Sequence, residues 1–284
     1  MADADMPLIL TDFDPRAGTR MAADVLYAHA VLGGVPVALH GTLYLPAPGG
    51  AAAPLLVWLP GNGHPTEQHD GQHDGQRGRL QTRRLARQLT AAGFALATPQ
   101  LRPRAECDDL AEATRARLAE IERMPVAPGA ARLTGWPALA ATEDAARFVG
   151  WLAARAAALG LAPRPVLGGT GDGAATAFNL AFLAPFLGLE RPEPAGILSF
   201  SGGFAWPGLY RPAVYPVFAL HNPFDQTLDI GPIRALSQID PALELIEAWE
   251  HQHGALRVHP KESRTQAYGR LRALLRDWCG VAAA

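Results

Sequence analysis

The sequence predicts an α/β protein, a mostly parallel central sheet with helices on both faces. Three observations carry that expectation. Short apolar runs alternate along the chain with segments whose apolar residues recur at helical spacing. Some runs, such as "LLVWLP" at 55–60, are apolar without alternation, as a strand buried on both faces requires. Residues 166–182, "VLGGTGDGAATAFNLAF", pass from an apolar strand through a glycine turn into an alanine-rich helix.

Each element follows from its own pattern. Residues 24–46 read as two strands joined at Gly33-Gly34, a hairpin signal. Residues 46–54 are a loop and 55–60 a buried strand. Residues 61–78, rich in Gly, His and Asp, are expected to be loop. A helix follows from about Leu80, with Leu85, Leu89 and Ala92 at helical spacing and Gly93 closing it. Residues 94–100 form the next strand. Residues 101–141 then interrupt the alternation. Within them 107–124 read as a helix with acids in its first turn, followed by a Pro/Gly-rich stretch through Trp136-Pro137. So long an excursion before the next framework helix suggests a small cap or lid. Thr142 opens an amphipathic helix striped by Phe148, Leu152, Ala156 and Leu159, with Gly160 ending it. Strands are expected at 165–169, 195–203, 215–222 and 242–249. The last helix spans 262–279, with Tyr268, Leu271, Leu274, Leu275 and Trp278 on one side. Residues 1–284 thus read as a single domain with 101–141 inserted in it.

Composition narrows the function classes. The 284 residues are 49% hydrophobic and 18% charged, an ordinary globular balance that can bury a sizeable core. A net charge of −2 gives no reason to expect nucleic acid or an anionic membrane as partner. No apolar run approaches a bilayer-spanning length. The acidic N-terminus lacks the basic start and apolar run of a secretory signal. Cys107 and Cys279 lie far apart, as two free thiols would. A cytoplasmic protein acting on a small-molecule substrate or ligand is the expectation.

The order and spacing of these segments resemble the α/β-hydrolase fold over roughly residues 35–280, in its esterase and dienelactone-hydrolase-like branch. Residues 41–63, "GTLYLPAPGGAAAPLLVWLPGNG", are similar to the hairpin and strand that lead into that family's oxyanion loop. Pro60-Gly61-Asn62-Gly63 stands where relatives often carry His-Gly. The turn must bring a backbone N–H to an oxyanion. Gly61 and Gly63 permit the approach, and Asn62 is the candidate donor; a plain strand-end loop is the alternative. Asp225, in "LHNPFDQTL", resembles the acid of the hydrolase triad, with His221 orienting its loop. His253, in "EHQHGAL", matches the family's catalytic histidine, and His251 competes with it two residues earlier. No cofactor or metal is implied by the resemblance.

The remaining element is the nucleophile elbow, which demands small residues two before and two after its tip. Two registers fit. With Gly171 at the tip, the flanks are Gly169 and Gly173, and Ala177 lies six residues on. With Asp172 at the tip, the flanks are Thr170 and Ala174, and bulky Phe178 takes the sixth place. The small-residue logic favours Gly171, with Asp172 lending a backbone N–H to the oxyanion. Thr170 is a remote third. In the Gly171 register no hydroxyl, thiol or carboxylate occupies the tip. The four serines, Ser199, Ser201, Ser237 and Ser263, all lie outside a G-x-S-x-G context, and Ser201 reads as scaffold or pocket lining.

The expected function is therefore a hydrolase of an ester-like small molecule with an altered nucleophile, including water activated directly by His253. One alternative is an Asp172 nucleophile of the epoxide-hydrolase or dehalogenase type. The other is a non-catalytic relative that binds a ligand or partner. The cluster His64, His69, Asp70, His73 and Asp74 reads as a polar surface loop rather than a metal site, because Gly71 and Gly75 oppose a helix there. Arg102 and Arg104, at the same sheet edge, are candidates for an anionic substrate group or for simple solvation.

Overall fold

The computed structural model describes residues 8–49, 51–61, 71–102 and 105–280, and of 71–79 the backbone alone. Among the described residues nine strands make one sheet. They are β1 (Thr11–Asp14), β2 (Thr19–Leu32), β3 (Val35–Leu45), β4 (Leu55–Leu59), β5 (Ala95–Pro99), β6 (Val166–Thr170), β7 (Gly196–Phe200), β8 (Val217–His221) and β9 (Glu244–Glu247). Their spatial order is β1-β2-β3-β5-β4-β6-β7-β8-β9. The first three strands and β5 pair antiparallel; every pairing from β5 through β4 to β9 is parallel. Gly33 and Gly34 both take positive φ (61° and 75°), the geometry a two-residue hairpin turn needs to match the strand twist.

The helices are α1 (Gly71–Thr90), α2 (Glu112–Ile121), α3 (Trp136–Leu159), α4 (Asp172–Phe178), α5 (Ala184–Phe186), α6 (Gly231–Ile239) and α7 (Arg264–Trp278). They divide between the two sheet faces, and the central strands serve both. On one face Leu56, Trp58, Leu198 and Phe200 pack with Leu85 and Leu89 of α1 and Leu271 and Leu275 of α7. On the other, Val57, Leu59, Leu167 and Ile197 pack with Phe148 and Leu152 of α3, Ala177 of α4 and Ile233 of α6. Double-sided burial is why "LLVWLP" shows no polar alternation.

Several expectations are corrected. Helix α1 begins at Gly71, inside the segment expected to be loop. Gly71, Gly75 and Gly78 oppose helix one by one. Once Leu85, Ala86 and Leu89 are buried, though, extending an existing helix costs far less than nucleating one. Helix α3 begins at Trp136 rather than Thr142, because Pro137 sits in its first turn, where a proline's missing N–H is no loss. Strand β1 and the nine-residue α6 are additional to the elements the sequence predicts. Both are short, and α6 buries only Pro232, Ile233 and Leu236.

Arg102 does not face a substrate. It is 2% exposed, and its guanidinium donates to Glu143 and Asp144 of α3 and to the carbonyls of Val31 and Asp109. Glu143 in turn accepts from the Ala111 N–H. This buried cluster ties the start of the 101–141 excursion to α3 and the β2–β3 hairpin. Further along, the Ala127 N–H donates to the Ala205 carbonyl and Arg132 to the Thr227 carbonyl.

Candidate active site

The site lies at the carboxyl ends of the parallel strands, where α/β sheets present their loops. Strand β6 ends at Thr170, Gly171 makes the turn, and α4 starts at Asp172. Gly171 has φ 55° and ψ −124°, a left-handed conformation that side chains resist. Its N–H donates to the Phe200 carbonyl, which pins the turn to β7. The flanks are small for a visible reason. A Cβ on Gly169 would meet the Leu59 carbonyl and the Gly173 backbone, and one on Gly173 would overlap the same carbonyl. Ala177 is fully buried, and Phe178 stacks with Phe182 and Phe204.

Gly171 is the residue that faces the histidine. An ideal Cβ built on it lies 2.6 Å from Nε2 of His253. The imidazole therefore stands in the volume that a side chain at 171 would fill. Its other nitrogen is held by Asp225, whose Oδ2 accepts from Nδ1–H at 2.7 Å. A carboxylate acceptor at Nδ1 fixes the tautomer and leaves the lone pair on Nε2. The His253 side chain is 30% exposed and that of Asp225 is 2%. His251, the competing histidine, sits instead 3.5 Å from the Asn222 amide at the exposed edge.

Asp225 is built to stay ionised. Burial pushes its carboxyl up, but the hydrogen bond from His253 and the backbone N–H groups of Thr227 and Leu228 outweigh it. They hold the carboxyl at about 2. His221 is 1% exposed, and burial pushes its imidazole down. Its Nε2–H donates to the Leu228 carbonyl at 3.1 Å, so it braces the loop that carries Asp225. Asn222 accepts from the Phe224 N–H and donates to the Glu250 carbonyl, joining the acid's loop to the histidine's.

One tether was not legible. Ser201 takes φ 55° at the end of β7, and its Oγ accepts from the Gly254 N–H at 2.9 Å. Ser201 thus holds the residue that follows His253. The two are 53 positions apart, and no local pattern announces the contact.

A cavity of about 890 Å³ opens over the elbow. Gly61, Gly171, Asp172 and His253 line it, as do Trp58, Tyr44 and Tyr268. Arg83, Arg84, Arg132, Arg257 and Arg264 stand around it, and only Arg132 comes from the middle of the excursion. The first hydrogen bond inside α4 is Ala175 N–H to the Gly171 carbonyl, and Asp172 is the first residue of the helix. Asn62 and Gly63 lie outside the described residues. So do Arg104, His64, His69 and Asp70, and the side chains of His73 and Asp74. Among the described residues no group of three His, Cys, Asp or Glu is gathered as a metal site. No described helix is long and apolar enough to cross a membrane.

The fold class these features define is the α/β-hydrolase fold. Solved structures agree. The chain is similar to esterase 2 of Thermogutta terrifontis phosphonylated by cyclosarin, at 15% identity and a TM-score of 0.61, covering 92% of this chain and 96% of that one. The butyrate-bound form of the same esterase matches at 13% identity and a TM-score of 0.58, over 97% and 95%. A structure from Lactobacillus plantarum WCFS1 matches at 13% identity and a TM-score of 0.57, over 94% and 100%. No protein-family model matches the chain, and no curated protein matches it. At these identities the likeness is one of fold.

Proposed function

We propose that this protein hydrolyses an ester-like small molecule, with the His253–Asp225 pair supplying the reactive lone pair and the elbow supplying no side chain. One observation carries the reading. His253 is held by Asp225 at 2.7 Å and turns its free nitrogen to the elbow, inside a cavity large enough for a small molecule. Asp225 fixes the ring and stabilises the imidazolium that forms. In this reading the backbone at Asp172 and the turn at Gly61 meet the developing oxyanion. Esterase neighbours, one of them with butyrate bound, support an ester-like substrate.

Asp172 as a carboxylate nucleophile has less support, because Gly171 occupies the tip facing His253. The ligand-binding reading rests on a specific observation, the missing hydroxyl at that tip. The experiment that separates them is hydrolysis of p-nitrophenyl acetate and butyrate by the wild type and by the His253→Ala and Asp225→Asn variants. The hydrolase reading expects turnover above background that falls about 100-fold or more without the imidazole. Equal rates in folded wild type and His253→Ala would leave only the binding reading.

A further inference from the structure

We propose that the ester taken by this site carries a second, anionic oxygen group, held by the arginines of one cavity wall, Arg84 and Arg264 foremost. The proposal rests on the hydrolase reading above and names its substrate class.

The charges around the cavity are sorted in space. Four of its five lining arginines, Arg83, Arg84, Arg257 and Arg264, come from α1, from the start of α7 and from the segment leading into α7. These two helices pack together on one face of the sheet, so the four guanidinium groups belong to one wall. Among the described lining residues the carboxylates are Asp24 and Asp172, on β2 and α4, and that wall contributes none. The chain as a whole carries a net charge of −2, so the excess of cations is local to this space.

The four differ in what already holds them. Arg257 is paired with Glu250 at 2.6 Å, and the Arg83 guanidinium lies 6.0 Å from the Phe13 ring centroid. Arg84 and Arg264 have no hydrogen-bond or ion-pair partner among the described residues. A guanidinium presents a planar fork of N–H donors that matches a carboxylate or a phosphate. A cleft bearing one sign of charge beside apolar surface concentrates field lines and draws in the opposite ion. Trp58, Leu85 and Leu256 supply that apolar surface here. His253 lines the cavity within the same run, 252–257, that ends at Arg257. A molecule held by these arginines therefore shares its space with the Nε2 lone pair, so the anion and the scissile ester fit on one molecule.

The kinetic test uses two pairs of esters. Mono-p-nitrophenyl adipate against p-nitrophenyl hexanoate puts the anion on the acyl side. 4-Acetoxybenzoate against 4-acetoxybenzamide puts it on the leaving group. Wild type is expected to favour the anionic member of at least one pair by about tenfold or more in kcat/KM, as a charge-assisted hydrogen bond allows. That preference should fall towards one in Arg84→Gln/Arg264→Gln and weaken as salt is raised. It should persist in Arg115→Gln/Arg117→Gln, which removes two charges from α2. Folding of each variant is checked by circular dichroism. Calorimetric binding of adipate and n-hexyl phosphate to His253→Ala, with and without the two arginine changes, gives a measure that needs no turnover, and the tighter probe identifies the oxyanion. A neutral ester preferred in both pairs, or a preference that survives loss of both arginines, overturns the proposal and leaves the hydrolase reading standing. Arginine-dependent binding with no hydrolysis of any ester overturns the hydrolase reading and leaves the anion site. Absence of both binding and hydrolysis overturns both.

Discussion

Placing a methyl group on Gly171 perturbs two things that can be measured apart. The backbone at φ 55°, ψ −124° is free to glycine but costs a side-chain-bearing residue about 1–3 kcal/mol. The new Cβ also stands 2.6 Å from His253 Nε2, about 0.8 Å inside ordinary contact at ~3.4 Å. The ring must retreat, and its bond to Asp225 stretches or breaks, a loss of about 1–2 kcal/mol for a charge-assisted hydrogen bond. Because the His253 side chain is 30% exposed, it can swing outward, which caps this second cost. Gly171→Ala is therefore expected to lose about 2–5 kcal/mol in urea denaturation. His253→Ala removes the obstructing ring, so adding Gly171→Ala to it should cost only the backbone part. The cycle should return a coupling of about 1–2 kcal/mol. A coupling indistinguishable from zero would refute the placement of the ring over the elbow. A total loss under about 0.5 kcal/mol would refute the left-handed backbone.

Gly171→Ser carries the same strain but adds a hydroxyl beside His253. It should gain covalent labelling by paraoxon that the wild type lacks, read by intact mass; a folded variant that stays unlabelled counts against a hydrolase-type elbow. Gly173→Ala pushes a methyl into the Leu59 carbonyl and should destabilise by about 3 kcal/mol, the upper end for overpacking; a melting temperature unchanged from wild type would contradict the close approach of α4 to β4. Arg102→Met leaves the buried Glu143 and Asp144 carboxylates with only the longer contacts to the half-buried Arg147 and should cost about 3–5 kcal/mol. Changing Glu143 to Gln and Asp144 to Asn in the same protein should recover much of it; no recovery would mean that the packing of Arg102, not its charge, matters. Asp225 is held at about 2 against about 4 unfolded, so its stabilisation of about 2 kcal/mol is present above pH 4 and lost as pH falls towards 2. The stability gap between wild type and Asp225→Asn should narrow by that amount between pH 5 and pH 2, and a gap that stays constant would count against the ionised acid. His221, pushed down by burial, adds stability that is present above its unfolded value near 6.5 and declines as pH drops below it.

The sequence by itself determined much of the framework and singled out candidate residues that the fold brings together at the strand ends. Strands buried on both faces are apolar throughout, so β4, β6, β7 and β8 announced themselves. The hairpin at Gly33-Gly34 was legible because positive φ at two successive residues selects glycine. At the elbow, Gly169, Gly173 and Ala177 pointed to Gly171 as the tip, since close packing of helix on strand leaves a trace in residue size. Asp225 and His253 were singled out by the resemblance of their segments to a hydrolase triad, and the fold brings them within 2.7 Å of each other.

Tertiary structure decided what depends on contacts distant in the chain. Propensity opposes helix at Gly71, and only the burial of α1 further along carries the helix back that far. The fate of Arg102, buried among Glu143, Asp144 and two carbonyls, depends on where α3 and the hairpin lie. Its charge alone says nothing of that. The tether from Ser201 to Gly254 spans 53 positions. Most of all, residue types cannot say where an imidazole rests when the side chain beneath it is missing. That is a question of volume. With no Cβ at Gly171, the space is empty, Asp225 holds the ring across it, and Nε2 comes to stand over the elbow.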